Sequence, residues 1–252
     1  MLNRSYESLR VAVYPTRQEM GHAAATYVAD RLRRLLSEQQ RVRMAFAAAP
    51  SQTEFLAALV AETGIDWSRV VACHLDEYVG IPADHAASFG RWLDRHLFQR
   101  VGFGEVHYWN PQAPDPQAEC DRYGALLAEG PLDMACIGIG ENGHLAFNDP
   151  HVADFTTSRA TSLVSLDETS RQQQVKDGCF PAVSEVPRQA WTMTIPVIMG
   201  ARVLSVVVPG TNKAAAVRAA LTGEVTTTCP ASILRQHPNA VLFLDRDSYG
   251  LL

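Results

Sequence analysis

Three short segments combine residue types that move protons or hold anions. The first is His74-Leu75-Asp76-Glu77-Tyr78-Val79-Gly80. Adjacent carboxylates on an extended backbone point in different directions, so Asp76 and Glu77 divide two tasks. One faces a ligand as general base, and the other holds the loop or meets the substrate. Two solvated charges or a helix cap would look the same in sequence. The second segment runs from Gly138 to Pro150, reading Gly-Ile-Gly-Glu-Asn-Gly-His-Leu-Ala-Phe-Asn-Asp-Pro. Glycines let the backbone approach a ligand and adopt positive φ, which makes Gly140 and Gly143 candidate substrate contacts. His144 carries an imidazole suited to proton transfer near neutral pH, and Asp149 is close enough to orient it. A lone GxG or a lone histidine is usually structural; glycine turn, amide (Asn142), histidine and acid in one loop is a rarer set. The third segment is Pro209-Gly210-Thr211-Asn212-Lys213-Ala214. A glycine turn opens a helix there, and helix N-termini attract anions. Lys213 reads as a phosphate or carboxylate ligand, with a surface charge as the bland alternative. Lys176 and Lys213 are the only lysines among 22 basic residues, and a compact ammonium has uses that arginine does not meet. For Lys176 alone, chance is the preferred reading.

Each segment must sit at the end of a strand to act on one ligand. Apolar runs predict strands over Arg10–Tyr14, Val42–Phe46, Val70–His74, Val106–Tyr108, Met134–Ile139, Trp191–Ile195, Val203–Val208 and Ala240–Leu244. Thr16-x-x-Glu19 and Ser51-x-x-Glu54 read as capping boxes opening helices. Further helices are expected over about 88–99, before Leu127, and near Thr211 and Ala231. Strands alternating with helices predict one α/β domain over residues 1–252. Its core is a doubly wound, mostly parallel, Rossmann-like sheet with helices on both faces. Ligands of such sheets bind beyond the carboxyl ends of the strands, where the three segments fall.

Composition narrows the function classes. The 252 residues are 47% hydrophobic and 19% charged, with net charge -5 and pI about 5.9. That balance supports a sizeable core and argues against disorder or a nucleic-acid partner. No apolar run approaches the ~20 residues of a membrane span, and Met1 to Tyr14 holds no signal-peptide core; a cytoplasmic location is expected. The five cysteines form no CxxC pair and read as free thiols, not a zinc site. His22, His74, His107 and His237 read as structural.

The quoted motifs carry a resemblance over nearly the whole chain. Leu75–Gly80 followed by His85 and Ser88, Gly138–Pro150, Val208–Leu221 and Ser232–Asp245 resemble the glucosamine-6-phosphate deaminase family, in the wider group with 6-phosphogluconolactonases. The resemblance implies a sugar phosphate substrate and no metal or organic cofactor. His144 would handle the ring-oxygen proton, and Asp76 would move a proton between C2 and C1. Ammonia would leave and a ketose phosphate remain. Asn142 and Asp149 would stand in the histidine's relay, and Ser51 and Lys213 among the phosphate contacts.

Three departures qualify it. The family's acid two positions before the histidine is Asn142, which leaves Asp149 to carry the charge. Asp149 itself stands where glutamate is usual, one methylene shorter. The family's glycine-rich phosphate loop is Ala47-Ala48-Ala49-Pro50-Ser51-Gln52, in which Pro50 lacks an N–H and β-carbons fill the ligand's space. Glu54 would repel an anion there unless it folds back as a cap. The family's phosphate-contacting arginine falls near Lys176. The chain ends without the family's C-terminal extension, so a homo-oligomer stays open as a partner class. Alternative readings are the same acid–base pair on another sugar or sugar phosphate, a lactonase, or a non-catalytic sugar-phosphate-binding regulator.

Overall fold

The computed structural model describes residues 2–82 and 84–252. Its main sheet has eight strands: β1 (Leu2–Tyr6), β2 (Leu9–Tyr14), β3 (Val42–Phe46), β4 (Val70–His74), β6 (Glu105–His107), β7 (Met134–Ile137), β10 (Val203–Val208) and β11 (Ala240–Asp245). Their order is β1-β2-β11-β10-β7-β3-β4-β6. Only β1 runs antiparallel to its neighbour, as a hairpin with β2. The fold class read from the sequence therefore stands.

The helices are α1 (Arg17–Glu38), α2 (Thr53–Ala61), α3 (Phe89–Leu93, continued as a π-helical stretch to Phe98), α4 (Pro116–Ala128), α5 (Glu168–Lys176), α6 (Ile195–Met199) and α7 (Ala214–Thr222). Alternate side chains of each strand feed two separate cores. Met44 and Phe46 pack with Met20, Leu32 and Leu59 of α1 and α2, while Ala45, between them, joins Tyr123, Leu127 and Val217 from α4 and α7. Helices thus cover both faces.

Three features depart from the sequence reading. A second, antiparallel sheet joins β5 (Asp76–Tyr78), β9 (Gln189–Met193) and β8 (Thr161–Ser165). The segment expected as a parallel strand at Trp191–Ile195 belongs to this small sheet. The Ser51–Glu54 capping box does not form. Pro50–Gln52 is a 3-10 turn with no side-chain cap, and the Glu54 carboxylate lies 2.7 Å from Arg17 Nε instead. The helix expected near Ala231 is a 3-10 segment, Pro230–Gln236. The Thr16 cap does form, its hydroxyl accepting from the Glu19 N–H at 3.2 Å.

The chain passes from β2 into the middle of the sheet at β3, builds outward through β4 and β6, then returns to the other side of β3 with β7, β10 and β11. The winding direction reverses between β3 and β7. Loops leaving adjacent strands in opposite directions open a crevice at that point.

Candidate active site

A pocket occupies this crevice, lined by the loops after β3, β4, β7 and β10 and by α5. Ser51, Gln52, Asp76, Gly140, His144, Gln173, Gln174 and Lys213 contribute its polar or chemically active wall. Ala47–Ala49, Phe89 and Phe147 contribute the apolar part.

Asp76 reaches the pocket because the chain leaves the main sheet at Leu75 and enters β5. The bend is fixed by His74, whose Nδ1 lies 3.0 Å from the Asp76 carbonyl and whose Nε2 accepts from the Trp109 N–H. Burial pushes His74 down to about 4, so it is a neutral structural clamp. In β5 successive side chains point to opposite faces. Asp76 lines the pocket, and its carboxylate has no hydrogen-bond partner among the described residues. Burial, reinforced by the neighbouring Glu77 charge, raises it well above the usual carboxylate range.

Glu77, read as a substrate contact, lies outside the lining. Its carboxylate accepts from the N–H groups of Tyr78, Phe89 and Gly90 and from the Ser88 hydroxyl, at 2.8–3.1 Å. It joins β5 to the start of α3 and has no lone pair to spare for a ligand.

His144 sits on the turn after β7. Gly140 is required beneath it: a Cβ there would come within 2.1–2.4 Å of three imidazole atoms. Gly143 has φ of +85° and packs against Cys229, away from the pocket, so its part in ligand contact is replaced by one in loop packing. His144 Nδ1 lies 2.7 Å from Asn142 Oδ1, 3.0 Å from Asp149 Oδ1 and 3.2 Å from Ser170 Oγ. Its Nε2 has no partner among the described residues. Asp149 is fully buried behind the ring. Burial alone would raise its carboxyl, but hydrogen bonding and charge from His144, with bonds from Asn142 and Ser170, outweigh that and hold it at about 2. The shorter acid therefore does reach the ring.

Asn142 also lies behind His144. Its amide nitrogen donates to Asp149 at 3.0 Å and to Asp167 at 3.1 Å. Asp149, His151 and Asp167 each bring a possible metal-ligand atom within 4.8 Å of the others. The amide N–H groups of Asn142 already bridge the two carboxylates, and His151 Nε2 rests on the Ser165 carbonyl.

Lys213 is 5% exposed and lines the pocket, with no ion-pair or hydrogen-bond partner among the described residues. Burial lowers its basicity, while Asp177 and Glu141 act against that. Lys176, the other lysine, does not join it. Its ammonium is at the surface, 3.0 Å from Glu141, whose other oxygen accepts from Asn212. Ser51 lines the pocket at its β3 side.

Sequence reasoning missed α5 altogether. Its buried residues, Ser170, Gln173 and Gln174, are polar but keep the i, i+3, i+4 spacing of a helix face. Asp167 caps it by accepting the Ser170 N–H at 2.6 Å. That cap and the polar periodicity were the signals available.

Residues 15–243 match the family described as glucosamine-6-phosphate isomerases/6-phosphogluconolactonase. The chain is 33% identical over 244 residues to a glucosamine-6-phosphate deaminase of Lactobacillus delbrueckii subsp. bulgaricus, covering 97% of this chain and all of that one. It is 37% identical over 187 residues to one of Bacillus cereus, covering 74% and 70%. A solved structure of a monomeric glucosamine-6-phosphate deaminase superposes with a TM-score of 0.88 at 29% identity, covering 96% and 99%. A 6-phosphogluconolactonase of Shewanella baltica shares the fold, with TM-score 0.76 at 20% identity over 93% and 97%. By motif, fold and site, the chain belongs to the glucosamine-6-phosphate isomerase/6-phosphogluconolactonase family.

Proposed function

We propose that this protein is an isomerising deaminase that converts a 2-amino sugar phosphate of the glucosamine 6-phosphate kind, with water, to a ketose phosphate and ammonia. One observation carries the reading. A buried carboxylate (Asp76), an imidazole Nε2 (His144) and an ammonium (Lys213), none with a partner among the described residues, share one pocket.

The chemistry follows from their environments. His144 Nε2 takes the anomeric hydroxyl proton and returns it to the ring oxygen, which opens the sugar. Asp76 then removes the proton at C2, acidified by the adjacent aldehyde, and delivers it to C1, while the C1 oxygen takes up a proton and the amino nitrogen gives one up. A carboxyl raised by burial is a stronger base than an exposed one and holds the proton long enough to return it to carbon. The product is a C2 imine, which water hydrolyses to the ketone with loss of ammonia. Asp149 steadies the imidazolium during ring opening. Lys213 and the Ser51 hydroxyl hold the phosphate end.

A second reading is favoured by one feature: the same reaction on an amino sugar without a terminal phosphate. Among the described residues, Lys213 is the one lysine or arginine on the pocket wall. On the same wall, Gln52 Oε1 is buried with no partner among the described residues, an acceptor that welcomes a sugar hydroxyl and repels a phosphate dianion. Ammonia release by the purified protein from glucosamine 6-phosphate and from glucosamine, measured side by side, separates the two. A higher kcat/KM on the phosphorylated sugar supports the first reading, and the reverse supports the second. Release from neither, by folded protein, overturns both.

A further inference from the structure

Every group facing His144 Nδ1 is an acceptor. Asp149 Oδ1 accepts. Ser170 Oγ gives its single hydrogen to Asp149, so toward the ring it presents a lone pair. The third group, Asn142, is an amide that in principle could turn either end toward the ring. Its direction is settled on its far side. Ionised carboxylates only accept, and the Asn142 nitrogen lies between two of them, Asp149 and Asp167. The amide oxygen is thereby aimed at the His144 backbone N–H and Nδ1, at 3.1 and 2.7 Å. With three acceptors around it, Nδ1 keeps its hydrogen, and Nε2 is the nitrogen that exchanges protons with the pocket.

Asp167 is itself fixed. Its other oxygen caps α5 by accepting the Ser170 N–H. A carboxylate at position 142 in this setting would stand within hydrogen-bond reach of two other carboxylates with no hydrogen between them. That is unfavourable unless one takes up a proton.

We infer that Asn142 and Asp167 form a matched amide–acid pair, in which Asp167, 25 residues away at the N-cap of α5, holds the Asn142 amide in the orientation that fixes the tautomer of His144. Asp167 is a positioning residue: it touches neither ring nor pocket, and acts through Asn142. The pair explains how an amide stands beside the catalytic imidazole. The second negative charge of the relay is at the N-cap of α5 instead of in the loop after β7.

The kinetic arm of the test rests on the proposed deamination, and the spectroscopic arm does not. Asp167→Asn keeps a good helix cap but turns an N–H toward the Asn142 nitrogen. The expected result is a mixture of His144 tautomers by 15N NMR, against a single Nδ1–H form in the unaltered protein. In turnover, kcat falls about tenfold with KM little changed. Asn142→Asp alone, which crowds three carboxylates, falls at least as far. Combining N142D with D167N puts a donor back between positions 142 and 167 while the contact with Asp149 stays, so the Nδ1–H tautomer returns and kcat recovers clearly above the product of the two single losses. Single-variant losses that simply multiply in the double variant would overturn the pairing. So would an unchanged His144 tautomer in Asp167→Asn. If no amino sugar is turned over, the deamination reading fails, and the 15N spectra alone decide the pairing. If either single variant fails to fold, the tautomer and melting temperature of the double variant decide it: a folded double with the Nδ1–H form supports the pair, and an unfolded one overturns it.

Discussion

Asp76 is held in a place that disfavours its own charge. Its carboxyl is raised by burial and by Glu77, so the folded state prefers the neutral form. The stability this contributes is present below the unfolded value of 3.8 and is lost as pH rises through the folded value. Asp76→Asn should therefore be more stable than the unaltered protein at pH 7, by roughly 1–2 kcal/mol or about 2–8 °C in Tm. The gap should close toward pH 4, and activity should be lost throughout; melting curves at the two pH values check this. Lys213→Met removes the unpaired ammonium. If the ligand end is phosphate, KM rises about 10–100-fold with a smaller effect on kcat, whereas KM for an unphosphorylated sugar barely moves. Asp76, His144 and Lys213 were legible in the sequence because each is a chemically active residue in a loop that directly follows an apolar strand. Gln52 and Gln174 were not. An uncharged amide in a stretch that also scans as a helix cap gives no sign that tertiary packing turns it into a pocket wall.

Local elements explain why some residues with suggestive chemistry do something else. Glu77 is spent on four donors at the junction of β5 and α3. Glu77→Gln leaves at least one N–H without an acceptor and should cost about 1–3 kcal/mol in urea unfolding. Its effect on kcat would then be indirect, through the position of Asp76. Gly140→Ala places a methyl where the imidazole lies and should lower kcat more than about 100-fold by displacing His144. The protein should still unfold cooperatively, which far-UV circular dichroism reads. The long elements were legible: β3, β4 and β10 span the predicted residues, since a buried parallel strand is a continuous apolar run. β5, β8 and α5 were not. β5 has three residues, two of them acidic, and is a strand only because β9 pairs with it from more than a hundred residues away. The inward face of α5 is polar because it meets a relay and a pocket, which removes the apolar period by which helices are found.

At the scale of the whole molecule, the winding reversal between β3 and β7 gathers four strand-end loops into one crevice, and the small antiparallel sheet supplies the strand that presents Asp76. The first of these follows from alternating strands and helices; the second depends on long-range pairing that no local pattern reports. His74 ties the two sheets together as a neutral residue, its folded value about 4 against 6.5 unfolded. Its contribution is fully present above pH 6.5 and is lost as pH falls toward 4. The unfolding free energy from urea titrations should decline over that window by up to about 3 kcal/mol, with a flatter slope in His74→Asn. Among the described residues no helix is long and apolar enough to cross a membrane. Proton transfer by Asp76 and His144 in one pocket is the feature on which the proposed deamination depends. Its most direct test is ammonia release from glucosamine 6-phosphate by the unaltered protein beside Asp76→Asn and His144→Gln. The unaltered protein should turn over, and turnover should fall by about 100-fold or more in each folded variant. Turnover that survives Asp76→Asn would contradict it.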